Sequence, residues 1–156
     1  MGLLAFKFEA DIFKKAMSSK AKKLQERKAT NAKAVAYIDK WVQDNFKQQG
    51  VKSKQGRWQE LSPVTLSMRR KEGKGAKILE DIGNLKGHWK HLYTHSEATL
   101  QSGEPYAIVH DQGNPRNRMF GKAKAPIPQR KITPEKDQVW PNIKKIYKMF
   151  LNVVLK

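Results

Sequence analysis

The clearest periodic signal in the chain lies between residues 31 and 46. Val35, Ile38, Val42 and Phe46, with Trp41 beside them, recur at three- and four-residue spacing and form one apolar face of a helix. Neither proline nor glycine interrupts the stretch from Asp11 to Phe46, so the helix is expected to extend upstream, as one element or as two joined near Ser18-Ser19 or Thr30-Asn31. Leu24 is the only large apolar residue between Met17 and Val35, and this Lys-rich part reads as a solvated face. Ahead of it, Phe6-Lys7-Phe8 alternates as a short strand does. Gly50 closes the helix, and Val51 to Gly56 reads as a polar loop. Ser62 then stands as an N-cap with Pro63 at the first helical position. The helix they begin carries Val64, Leu66, Arg69 and Arg70 and ends at Gly73-Lys74-Gly75.

Beyond Leu85 the pattern changes. Trp89, Leu92, Tyr93 and Thr94, then Ala98, Thr99 and Leu100, read as two strands turning at His95-Ser96-Glu97, and residues 86–101 are the only part that reads as sheet. Pro105 to His110 is a compact apolar patch that ends at Gly113. Residues 114–128 hold three prolines, one glycine and four basic residues without an apolar period, the composition of an irregular, mobile loop. Thr133-Pro134 is expected to cap a last helix, broken or restarted at Pro141, in which Ile143, Ile146, Tyr147, Phe150 and Val154 share one face. The expected class is α+β: a long N-terminal helix, a small antiparallel sheet, a C-terminal amphipathic helix and one extended basic loop. A single domain 1–156 would comprise a helical arm (1–49), an α+β core (50–133, with the mobile loop 114–126) and the terminal helix (134–156).

Composition narrows the class further. At 156 residues and 17.9 kDa the chain is sized for one domain. Mean hydropathy is −0.76, and no stretch approaches the roughly 20 apolar residues of a spanning helix. Met1 to Lys7 turns polar too early for a signal peptide, and Phe6 stands where a myristoylation signal has Ser or Thr. With no cysteine there is no disulfide, thiolate metal site or cysteine nucleophile. The formal charge is +18, distributed as +6 over residues 1–49, +5 over 50–80, −2 over 81–113, +6 over 114–133 and +3 over 134–156. Such an excess points to a polyanionic neighbour without naming it.

Motifs for chemistry are sparse. His88, His91 and His95 would share a face on a helix, but on a strand His88 would face away from the other two, and no His-Glu-x-x-His pattern is present. There is no Gly-x-Ser-x-Gly elbow, and Gly73-Lys74-Gly75 lacks the spacing and ending of a phosphate-binding loop. A carboxylate metal cluster for a nuclease would need Asp81, Glu97, Glu104 and Asp111 to converge. Trp58 beside Arg57 and Trp89 beside Lys90 could stack on bases, although such tryptophans are commoner as core anchors. Lys144, Lys145 and Lys148 lie opposite the last apolar stripe, as on a core helix with a solvated lysine face. No residue pattern calls for a cofactor.

Four segments in order carry a resemblance. Trp58-Gln59-Glu60-Leu61-Ser62-Pro63-Val64-Thr65-Leu66, followed by Arg69-Arg70, resembles W-x-x-L-S-x-x-T. Ile78-Leu79-Glu80-Asp81-Ile82-Gly83-Asn84-Leu85 resembles I-L-x-x-T-G-x-L, with Ile82 in place of Thr. Tyr106-Ala107-Ile108-Val109-His110-Asp111-Gln112-Gly113 resembles Y-A-x-x-H-x-x-G, and Ile127-Pro128-Gln129-Arg130 resembles the start of I-P-A-R-P-F, with Lys131-Ile132 in place of Pro-Phe. The string is similar to that of the Mu-like phage virion morphogenesis, or tail completion, family over about residues 35–150.

The resemblance implies a structural, non-enzymatic protein of a phage or prophage. It would be made and assembled in the bacterial host cytoplasm and would act as an oligomeric ring at the neck or upper tail, joining head to tail. Neighbouring neck or tail proteins would be its partners, with weak non-specific DNA contact and no membrane. On this reading Trp58 and Leu61 anchor the loop-to-helix junction, with Thr65 in the helix that follows. Leu79 and Leu85 flank the turn at Gly83, and Gly113 makes a second turn. Tyr106, Ala107 and His110 pack a short turn against the sheet, while Pro128 and Arg130 fix a chain exit. Arg116, Arg118, Lys122 and Lys124 are candidates for partner or DNA contact, on a loop from Asn114 to Lys131 expected to project because unpaired buried charges are costly. A small basic nucleic-acid-binding regulator is the alternative, and a metal-dependent nuclease a third.

Overall fold

The computed structural model describes residues 5–9, 27–114 and 126–154. The upstream helical stretch with Leu24, and Arg116, Arg118, Lys122 and Lys124, lie outside the described residues. Helix α1 (Arg27–Lys47) runs through the centre of the molecule. Its stripe is the one the periodicity marks: Ala34, Val35, Ile38, Val42 and Phe46 are fully buried, while Lys28, Lys33, Lys40 and Lys47 are exposed. Over its described length the expected arm is therefore core. The helix does not break at Thr30-Asn31. Asn31 is fully buried, and instead of competing with its own backbone it donates to the carbonyls of Thr94 (2.7 Å) and Glu97 (3.3 Å) and accepts from the Tyr147 hydroxyl. Burial pushes the Tyr147 phenol up to about 12.

Strands β1 (Ala5–Glu9), β2 (Trp89–Tyr93) and β3 (Glu97–Ser102) form an antiparallel sheet in the order β1-β3-β2. The expected two-stranded hairpin thus gains a third strand, with Phe6 opposite Leu100 and Phe8 opposite Ala98. This makes β3 central, and its alternate residues Ala98, Leu100 and Ser102 are buried. Helix α1 packs on β2 and β3 and also against the last helix.

Helix α2 (Pro63–Lys71) begins as expected, with the Ser62 hydroxyl accepting from Thr65 N. The short α3 (Asn84–Gly87) leads into β2. The patch ending at His110, expected as a turn, is a helix, α4 (Ala107–Gln112). Helix α5 (Lys136–Val154) runs continuously through Pro141, which neither breaks nor restarts it and forfeits one backbone hydrogen bond. Ile143 and Tyr147 are buried on its inner face. Its cap is Glu135, whose N–H donates to Gln138 Oε1 at 3.0 Å, and not Thr133-Pro134, because Thr133 is engaged elsewhere.

The end of α1 is locked by the loop that follows. Gly50 lies at φ +94°, and a Cβ there would sit 2.4 Å from the Trp58 ring. Trp58 is buried, meets Phe46 edge-on at 5.2 Å and donates from Nε1 to the Lys131 carbonyl at 3.0 Å. Its own N–H donates to Gln49 O at 2.8 Å. One indole thereby joins α1, the loop before α2 and the irregular segment before α5. Trp58→Ala should cost about 3–5 kcal/mol. Gly50→Ala should cost about 2–4 kcal/mol, from a left-handed backbone and a forced ring displacement. Urea denaturation with an unchanged m-value is the measurement. Wild-type midpoints for both variants would show that this lock is not formed.

Candidate functional site

The four motifs, far apart in sequence, meet at one cleft of about 490 Å³. The first supplies Leu61 and Thr65, the second Leu79, Gly83 and Leu85, the third Tyr106 and His110, and the fourth Arg130. Trp58 lies in the core rather than on the cleft, and Ala107 is fully buried at the start of α4. Pro128 is half-buried next to the bridge that pairs Asn114 with Ile127.

Each wall has a local cause. The second turn of α2 projects Arg69, whose Nη1 donates to Lys77 O (2.8 Å) and draws the segment after Gly73 back onto the helix. There Leu79 is held at φ +60°, a left-handed conformation unusual for a bulky residue, and Gly83 follows at +81°. Leu85 is buried beneath this turn. Tyr106 and His110, one turn apart on α4, meet edge-on at 6.2 Å. They line the cleft, where a turn packed against the sheet was expected.

The far wall depends on Asp111. This carboxylate is almost fully buried and accepts from Lys131 Nζ (2.7 Å), Ile132 N (2.8 Å), Thr133 N (2.9 Å) and Thr133 Oγ1 (3.0 Å). Gly113 makes the close approach possible: at φ +77°, its Cβ position lies 3.0 Å from Gln129 N. The end of the basic segment consequently does not project. Lys131 pairs with Asp111, and Arg130, expected to be exposed, is only 7% accessible. Arg130 N donates to His110 O (2.7 Å) and its Nε to Gln59 O (3.2 Å).

The electrostatics of the cleft follow from that burial. Desolvation, then the Arg130 charge, lower the His110 pKa to about 4, and its buried Nδ1 has no hydrogen-bond partner among the described residues. Desolvation, then Arg69, push the Arg130 guanidinium below its usual value. Asp81 is at the cleft, 3.8 Å from Arg69 Nε and 3.3 Å from Lys74.

The remaining candidates do not assemble. His88 bonds Glu104 at 2.7 Å, His91 bonds Asp39 at 2.9 Å, and His95 lies on a separate groove with Tyr93 and Phe150. Glu97 is on β3, apart from Asp81 and the buried Asp111, so the four acids do not converge. Among the described residues no group of three His, Asp or Glu is placed to hold a metal. Trp89 is half-buried, with its Nε1 bonded to Leu85 O. Sequence reasoning missed Asp111 as a structural hub, for which a lone acid ahead of an acid-free stretch is the only local sign.

A phage virion morphogenesis family model matches residues 9–147. The chain belongs to the phage virion morphogenesis family. No curated protein and no solved structure matches it. As a virion morphogenesis protein it has a phage structural or assembly role and works among other virion proteins. No helix among the described residues is long and apolar enough to cross a membrane.

Asp111→Asn should destabilise this protein by about 3–5 kcal/mol, since it leaves a buried donor cluster facing an amide. Chemical denaturation measures the loss, and a variant within 1 kcal/mol of wild type would refute the hub. His110 adds a pH dependence. Its folded pKa of about 4 is below the unfolded 6.5, so the unfolded chain binds more protons between them. Its contribution is complete above pH 6.5 and is lost as pH falls toward 4. His110→Gln should flatten the stability profile in that window. An unchanged slope in the variant would assign the acid sensitivity to other groups.

Proposed function

We propose that this virion morphogenesis protein completes the phage or prophage tail and joins it to the head at the neck, as an oligomeric ring with a structural rather than enzymatic role. The observation carrying this reading is the outer side of α2. The helix has no buried residue, and Val64 and Met68, at i and i+4, are 64% and 60% exposed. Its other side supplies Thr65 and Arg69 to the cleft. An apolar pair on a helix that buries nothing of its own supports a contact between copies of the chain. The order of the four motifs, similar to that of tail completion proteins, supports the position in the particle.

The net charge of +18 favours the second reading, a small nucleic-acid-binding regulator. Within the first reading, we assign Arg116, Arg118, Lys122 and Lys124 to the surface of a neighbouring neck protein, because a tight hold on phosphates would impede DNA passing through a ring.

Val64→Asp with Met68→Asp should leave the thermal melt within a few degrees of wild type and abolish the oligomer in sedimentation. A phage carrying the pair should accumulate unjoined heads and tails by electron microscopy. Normal particles from this variant would sink the ring contact. Sequence-selective, steeply salt-dependent duplex binding by the wild type would favour the regulator. Replacing the four basic residues together by Ser should preserve folding and impair head–tail joining. Normal joining with failed DNA retention would place them facing the DNA.

A further inference from the structure

Arg130 is 93% removed from solvent and lines the cleft, yet no carboxylate lies within 4 Å of it among the described residues. Among the described residues its only side-chain hydrogen bond leaves from Nε to a backbone carbonyl, so the two terminal nitrogens are not committed to an acid there. A buried guanidinium without a counter-charge is costly and is ordinarily paired. Beside it, His110 Nδ1 is buried without a partner among the described residues. A second guanidinium, Arg69, shares the cleft, where the one acid, Asp81, is 47% exposed at its side chain and already serves Lys74. Leu61, Leu79 and Leu85 give the rest of the cleft its apolar surface, with Thr65, Asn84 and Tyr106 among them.

We infer that the cleft is a receptor for an acidic side chain, Asp or Glu, presented beside an apolar residue by a segment of a partner virion protein. The fork of Arg130 would take the two carboxylate oxygens in the planar geometry that guanidinium favours. His110 lines the cleft beside it, so its ring would sense the bound carboxylate. The leucine walls would cover the neighbouring apolar side chain and exclude water from the pair. A protein carboxylate fits better than a DNA phosphate, because a duplex backbone reaches exposed cations, whereas Arg130 is recessed. The inference rests on the assignment of this chain to virion assembly, since that reading supplies protein partners.

The test uses the whole chain and the acetylated, amidated tripeptide Leu-Glu-Leu, with Leu-Gln-Leu as its control. NMR follows the ring signals of His110 and the side-chain Nε–H of Arg130. The acidic peptide should move both signals saturably, and the amide control should bind about tenfold or more weaker, as for loss of a charge-assisted hydrogen bond. Arg130→Lys, which keeps the charge and most of the stem but loses the fork, should weaken the acidic peptide similarly with a near-native melt. Equal shifts from the two peptides would overturn the proposal. So would stronger shifts from inorganic phosphate or a short DNA duplex, or concentration-dependent shifts without peptide, which would seat a second copy in the cleft. The peptide readout needs no oligomer, so it fails or succeeds independently of the α2 variant that tests the ring.

Discussion

The carboxylate of Asp111 is the constraint on which the rest of the C-terminal half depends. By accepting two backbone N–H groups, a hydroxyl and an ammonium, it holds an otherwise irregular segment in one path across the core. That path carries the Lys131 carbonyl to Trp58 and to the buried amide of Asn45, places Ile132 in the core, and leads to the start of α5. It also sets Arg130 against α4. A neutral side chain of the same size would satisfy fewer of these donors and would leave Lys131 without its partner.

What was legible in the sequence was whatever a few turns of local pattern could encode. The stripe on α1 spans several turns, and Ser62-Pro63 is a local chemical signal with a local result. The two strands after His88 were visible for the same reason. The pairing of β1 with β3 was not, because it joins residues more than half a chain apart and only tertiary packing fixes such a register. Helix α4 is shorter than two turns, too short to display a period. Thr133 looks like a cap in isolation, and only the position of Asp111 shows why Glu135 takes that role. The site residues could each be named from the motifs, but not their meeting place. Arg130 was read as exposed because its neighbours in sequence are basic, whereas burial is decided by neighbours in space.

The excess of positive charge has a structural counterpart. Several acids are already committed to local cations: Asp44 to Lys52, Glu135 and Asp137 to Lys54, Glu80 to Lys86. The Lys54 pairs are solvent-exposed and the other two half-buried, and surface pairs contribute little stability each. Exposed lysines on α1 and α5 are left to define the field that an approaching molecule meets, over the range that salt allows. Surface charge and the recessed cleft thus act at different distances. The first speeds encounter with negative neighbours of any kind, and the second discriminates among those that fit.

The antiparallel bridge between Asn114 and Ile127, closed by hydrogen bonds of 2.9 and 3.0 Å in both directions, fixes the two ends of the stretch between them side by side. For a flexible stretch closed in this way, each doubling of length adds only about 0.6 kcal/mol of closure entropy. The fold therefore ties both ends of this stretch to the cleft, because the bridge lies between the end of α4 at Gly113 and the chain that leads on to Arg130.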